Sequence, residues 1–188
     1  MTSKVEIISG AFVLLGKSPI NSIGNGPPIV DGVSKLFDLI YPTLISMHNW
    51  RFAMNLATLS PLTVIPPMDR WQHVYLLPAD LLRLFGTYPE TINYVRYENY
   101  IYTNAFPTLT IEYSFLPDLN KWPIYFKNLM TIYLAAEAAM LVTEDGTIAE
   151  YWSQKGLAYL ANSRSMDSQQ QPSSSIIRDS ILSRKYGY

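Results

Sequence analysis

The sequence predicts an α+β fold: a bundle of about four helices, at about 3–16, 30–48, 123–143 and 147–165, with an antiparallel β-block inserted at about 50–116. Three observations predict it. Apolar residues recur at helical spacing toward both ends of the chain, the period shifts to alternation in the middle, and clusters of Pro, Gly, Asn and Ser separate the segments. A chain of 188 residues suits one domain, and a domain near this size removes roughly 70% of its unfolded surface from water.

Ser3-Lys4-Val5-Glu6 has the form of a capping box, in which Ser3 and Glu6 each satisfy a backbone donor at a helix start. Val5, Ile8, Phe12 and Leu15 then follow at helical spacing, and Gly16 supplies the stop. Residues 17–28 are rich in Gly, Pro, Asn and Ser and read as a loop. A second helix is predicted from about Val30 to His48, with Val33, Leu36, Phe37, Ile40, Leu44 and Met47 on one face. Pro42 lies inside it, where it removes one backbone donor and is expected to kink the helix.

After Asn49-Trp50-Arg51-Phe52 the helical period stops. Pro61, Pro66 and Pro67 exclude another long helix, so residues 50–59 are expected to be extended, with a further strand at Trp71–Leu77. A tyrosine-laden hairpin spans Tyr94–Thr103 and turns at Glu98-Asn99, Asn99 being the residue expected to tolerate positive φ. In the next strand Leu109, Ile111, Tyr113 and Phe115 alternate with Thr110, Glu112 and Ser114, one buried face and one wet. A two-stranded hairpin alone is marginal, so the block must lean on the helices or on another subunit.

Pro123 is expected at the first position of an apolar helix that reaches Val142 and belongs at the bundle centre. Asp145-Gly146 turns the chain, and Thr147-Ile148-Ala149-Glu150 reads as a second capping box opening a helix to about Arg164. The division is therefore 1–167 as the folded domain and 168–188 as a linker and docking tail. Residues 168–175 have a linker's composition. The tail carries Ile176, Ile177, Ile181 and Leu182 with Arg178, Arg184 and Lys185 against Asp179, a net of 3 − 1 = +2.

Composition limits the function. The net charge of −1 argues against nucleic-acid binding by the overall field. The absence of Cys excludes disulfides and thiolate metal sites and suits a reducing compartment. The first residues lack the basic-then-apolar order of a signal peptide, and Lys127 and Glu137 interrupt the most apolar stretch, so no membrane span is expected. Fourteen Tyr and four Trp in a chain with only 15% charged residues suit either surfaces that become dry on assembly or the filling of strands, with equal weight.

No constellation for catalysis is legible. Tyr151 and Lys155 share the spacing of a short-chain dehydrogenase pair, but no strand–glycine turn–helix accompanies them, and on a helix they are simple i,i+4 neighbours. His48 and His73 belong to no ligand pattern. His48, near a helix end, is expected to serve the terminal carbonyls. Arg51, Arg70, Arg83 and Arg96 are interleaved with aromatics, but Glu90, Glu98 and Glu112 break any continuous basic groove. The expectation is a non-enzyme without cofactor or metal.

The order of the motifs resembles a known family. Asn49-Trp50-Arg51-Phe52 closes two helices. Then come Tyr75-Leu76-Leu77-Pro78-Ala79-Asp80-Leu81-Leu82-Arg83, Asn93-Tyr94-Val95-Arg96 and Tyr100-Ile101-Tyr102. Leu116-Pro117-Asp118 and Trp122-Pro123 lead into two more helices. Over residues 3–165 this resembles the tail tubular protein A family, the head-to-tail adaptor (gatekeeper) proteins of short-tailed bacteriophages.

The resemblance implies a virion protein, assembled in the host cytoplasm into a ring of about twelve copies. The ring would sit between the portal protein and the tail nozzle protein, with genomic DNA passing through its lumen without sequence specificity. It implies no catalytic residues. Portal docking is assigned to Ile176, Ile177, Arg178, Ile181, Leu182, Arg184 and Lys185, and subunit or nozzle contacts to Arg96, Tyr97, Tyr100 and Tyr102. Two other readings stay open: a small enzyme with a site of dispersed residues, and another ring component of a virion or secretion apparatus.

Overall fold

The computed structural model describes residues 3–24, 26–64, 66, 69–105 and 107–170. Within them lie four helices, α1 (Lys4–Leu14), α2 (Pro28–Ser46), α3 (Ile124–Thr143) and α4 (Gly146–Ser168). Six strands lie between α2 and α3: β1 (Met54–Leu59), β2 (His73–Leu76), β3 (Arg83–Tyr88), β4 (Tyr94–Tyr97), β5 (Tyr100–Thr103) and β6 (Leu109–Ser114). The fold is α+β, as expected.

Local chemistry accounts for the helix ends. At α1 the Ser3 hydroxyl accepts the Glu6 N–H at 3.2 Å and the Glu6 carboxylate accepts the Ser3 N–H at 3.4 Å, the expected capping box. The helix stops at Gly16, whose φ of 73° is left-handed. There the Lys17 N–H reaches the Phe12 carbonyl at 2.9 Å and the Gly16 N–H that of Val13 at 3.0 Å, so both orphan carbonyls are satisfied. Pro28 opens α2, where a missing donor costs nothing. The helix runs through Pro42, with the Thr43 hydroxyl bonded to the Leu39 carbonyl and that of Ser46 to the Pro42 carbonyl.

The start of α3 and the turn into α4 need correction. Pro123 stands just outside α3 in extended conformation rather than at its first position. The turn between α3 and α4 bends at Glu144, which takes φ 55°, and not at Gly146. The cap of α4 is Asp145, whose carboxylate accepts from Thr147 at 2.8 Å and from Ile148 at 3.4 Å, so Thr147 lies inside the helix. Asp145 wins because its longer acceptor reaches two orphan donors at once.

Helix α3 is the bundle's axis and packs against α4, α1 and α2. Phe126, Leu129, Met130, Leu134, Ala135, Ala138 and Ala139 are without exposure, and α4 approaches through Gly156, where a Cβ would stand 3.7 Å from the side chains of Ala136 and Tyr133. One core joins these residues to Ile8, Phe12, Val33, Phe37, Leu44 and Trp50.

The β-block is more regular than the sequence suggested. Two three-stranded antiparallel sheets form, ordered β1-β6-β3 and β2-β5-β4. Tyr75, Leu77, Ile101, Leu109, Ile111 and Tyr113 make a second core from both. A bridge between Pro61 and Tyr75, with the Leu62 N–H on the Val74 carbonyl at 2.7 Å, links the sheets.

Residues 50–59 are not extended throughout, since a 3-10 turn at Arg51–Ala53 precedes β1. Strand β3 was not expected. Gly86 and a register shift between Leu84 and Gly86 break its alternation. The hairpin turns at Glu98-Asn99, but Glu98 carries the positive φ, 51°, with the Arg96 guanidinium donating to its carbonyl at 3.2 Å.

Candidate functional site

The register of the second sheet sorts the tyrosines. Antiparallel partners share a face, and Arg96 pairs with Ile101, which pairs with Tyr75. That face holds the buried core. Tyr97 pairs with Tyr100, and Tyr100 with Leu76, while Val95 pairs with Tyr102. Tyr97, Tyr100, Tyr102 and Leu76 therefore stand together on the opposite face, which is open at Tyr97 and Leu76, half-buried at Tyr100 and Tyr102, and closed at Val74 beside Tyr102. Tyr97 is 48% exposed and Leu76 50%. The rings of Tyr97 and Tyr102 meet edge to face with centroids 6.0 Å apart.

Three of the four residues assigned to subunit or nozzle contacts thus form one patch. Arg96 does not belong to it. It stands on the other face and is held by the Glu98 carbonyl. The residues assigned to portal docking, Ile176, Ile177, Arg178, Ile181, Leu182, Arg184 and Lys185, lie outside the described residues.

The motifs that carry the resemblance prove to be joints. Asp80 accepts from the Tyr113 hydroxyl at 3.3 Å, fastening the segment before β3 to β6, and the Asn55 amide donates to that same hydroxyl at 3.2 Å. Trp50 is fully buried and its indole N–H donates to the Leu44 carbonyl at 2.8 Å. The Pro117 carbonyl accepts from Trp122 at 3.3 Å and from the Tyr41 hydroxyl. Burial pushes the Tyr41 hydroxyl up to about 12, so it stays protonated and donates. The Trp50 and Pro117 contacts tie the β-block to α2, and the Asp80 and Asn55 contacts brace the block internally.

Sequence reading missed one buried site. Helix α4 continues beyond Arg164, and Asp167 in its last turn has no exposure. Its carboxylate accepts the Arg51 N–H at 3.1 Å on both oxygens and the Tyr125 hydroxyl at 2.6 Å. His48 Nε2 lies 3.4 Å away. This corrects the role expected of His48, which faces a carboxylate and the edge of Trp50, 4.8 Å between ring centroids. Burial lowers the His48 pKa, the Asp167 carboxylate opposes that, and the Arg164 guanidinium adds to it. Gly156, Leu160, Ser163 and Asp167 form one buried stripe, a signal present in the sequence but obscured by the serines and amides that follow.

On α4 the Lys155 ammonium lies over the Tyr151 ring at 5.5 Å, a cation–π contact between helical neighbours. Among the described residues no group of three or more His, Cys, Asp or Glu is placed to hold a metal ion. No helix among them is long and apolar enough to cross a membrane. Compared with known proteins, the chain matches no family model and no curated sequence.

Proposed function

We propose that the chain is the structural subunit of a head-to-tail adaptor ring, seated between a portal and a tail nozzle, with DNA passing through the lumen. The observation that supports this most is the partly open face of Leu76, Tyr97, Tyr100 and Tyr102, set opposite the buried core of the β-block. Aromatic rings with polar tips suit a surface that is wet in the free chain and dry in the ring. The joints at Trp50 and Pro117 tie the β-block to the bundle and the Asp80–Tyr113 bond braces the block itself, as a repeated subunit contact requires.

In this reading the bundle forms the wall, the tyrosine face meets a neighbouring subunit or the nozzle, and residues 176–185 grip the portal. One grip is weak because ordering the linker costs entropy. A ring multiplies it through effective concentration.

The test is to mix the purified chain with portal rings of a short-tailed phage and count bound copies by electron microscopy. Stoichiometric decoration is expected. Deleting Pro172–Tyr188 should leave a folded chain that fails to bind. Normal occupancy by the truncated chain refutes the portal-docking role of the tail, and no decoration by the full chain refutes the adaptor reading.

A further inference from the structure

A second apolar surface lies apart from the tyrosine face. Between α1 and α4 two cavities of about 550 and 530 Å³ adjoin, the first floored by α3. Leu14 lines both, and α1 and α4 wall both, so they form one trough. Its walls are Val13 and Leu14 on one side and Ile148, Trp152 and Tyr159 on the other, with Thr131 on the floor.

The trough follows from the sequence. Ala11-Phe12-Val13-Leu14-Leu15 offers no polar side. Phe12 and Leu15 enter the core, which leaves Val13 53% and Leu14 36% exposed. On α4, Ile148, Trp152 and Tyr159 lie on one stripe and pack only partly against the core. A helix end that is apolar all round is ordinarily covered, and a contiguous exposed patch of this kind marks a contact.

We propose that in the free chain this trough receives the chain's own segment after α4, residues 176–188. Reach permits it. Gln169 and Gln170 still turn with the helix, so the return from Gln170 to Tyr159 is about 16 Å, and the chain from Gln170 to Ile176 spans up to about 20 Å. Ile176 therefore arrives at the Tyr159 end. From Tyr159 to Thr147 is about 18 Å, within the span of about 23 Å that residues 176–182 cover when extended.

Composition agrees with that direction. Ile176, Ile177, Ile181 and Leu182 bring the apolar surface the trough lacks, and Arg184 and Lys185 come last. They would arrive near Glu144, Asp145 and Glu150, which gather at the far end of the trough. Two cations lie on that stretch, Lys17 after Gly16 and Lys155 on α4, and the Lys155 ammonium is turned onto the Tyr151 ring, so the three carboxylates still outnumber them. The tether supplies a high effective concentration, so weak contacts suffice.

The docking itself is independent of the adaptor reading. Its consequence rests on that reading: the tail grips a portal only after leaving the trough, which delays premature attachment.

The native chain has no Cys, so paired substitutions report cleanly. Leu14→Cys with Ile181→Cys, in the full chain at low concentration, should form an intramolecular disulfide about tenfold faster than Leu39→Cys with Ile181→Cys. Leu39 lies on the outer side of α2 and is 67% exposed. Val13→Glu added to the first pair should slow it to the control rate. Tyr159→Cys with Ile177→Cys gives a second, independent pair. Equal rates for trough and control pairs, or no disulfide in either trough pair, overturn the proposal. A disulfide between two chains also overturns it and assigns the trough to a second copy. Portal decoration does not enter these readouts, so the two proposals fail separately.

Discussion

The Tyr125 hydroxyl donates to the Asp167 carboxylate at 2.6 Å, tying the first turn of α3 to the last turn of α4. The same carboxylate takes the Arg51 N–H on both oxygens, which adds the junction between α2 and β1. Three segments far apart in sequence therefore share one buried acceptor. Burial, followed by the Asp167 acceptor, pushes the Tyr125 hydroxyl far above its ordinary value, so it remains a donor at any ordinary pH.

Removing that acceptor leaves two buried donors without a partner. Asp167→Ala should destabilise the chain by about 2–4 kcal/mol, whereas Tyr125→Phe, which removes one bond, should cost about 1–2 kcal/mol. Urea unfolding followed by tryptophan fluorescence measures both. An Asp167→Ala variant within about 0.5 kcal/mol of the parent contradicts the assignment of Asp167 as a structural joint.

His48 makes the same junction sensitive to acid. Its folded pKa lies below the unfolded value, because burial penalises the imidazolium more than Asp167 favours it, with Arg164 and Arg51 adding repulsion. The unfolded chain then binds the proton more readily. This contribution to stability is complete above about pH 6.5 and is lost as pH falls below it toward the folded pKa. Melting temperatures should drop between pH 8 and 5, and His48→Gln should drop less over the same interval. Parallel curves for the two proteins contradict the prediction.

What the sequence disclosed was what local chemistry decides. Ser3 with Glu6, and Gly16 after Leu15, act within one turn, so the start and stop of α1 were readable. The apolar run of α3 likewise marked the bundle axis. Asp167 was not readable, because its partners Arg51 and Tyr125 are distant in sequence and its neighbours have the composition of a linker. Strand β3 was hidden by Gly86 and the bulge beside it, which erase the period of two. Adjacent strand residues point to opposite faces, so only Tyr97, Tyr100 and Tyr102 could have formed a patch.

That separation of faces makes the tyrosine patch testable. Tyr97 and Tyr100 are cross-strand partners on the partly open side, and Tyr97 loses little contact with the core when truncated. Tyr97→Ser with Tyr100→Ser should cost the free chain about 2 kcal/mol, from the edge-to-face contact with Tyr102 and the half-buried ring of Tyr100. Buried at an interface, two such rings are worth far more, so each subunit or nozzle contact should weaken by about tenfold or more. Arg96→Ala, which alters the other face, should leave assembly near the parental level. Sedimentation of the variants with portal and nozzle proteins, beside their urea midpoints, separates assembly from folding. A double variant that assembles normally removes the tyrosine face from the interface, and one that unfolds outright places the rings in the core of the β-block instead.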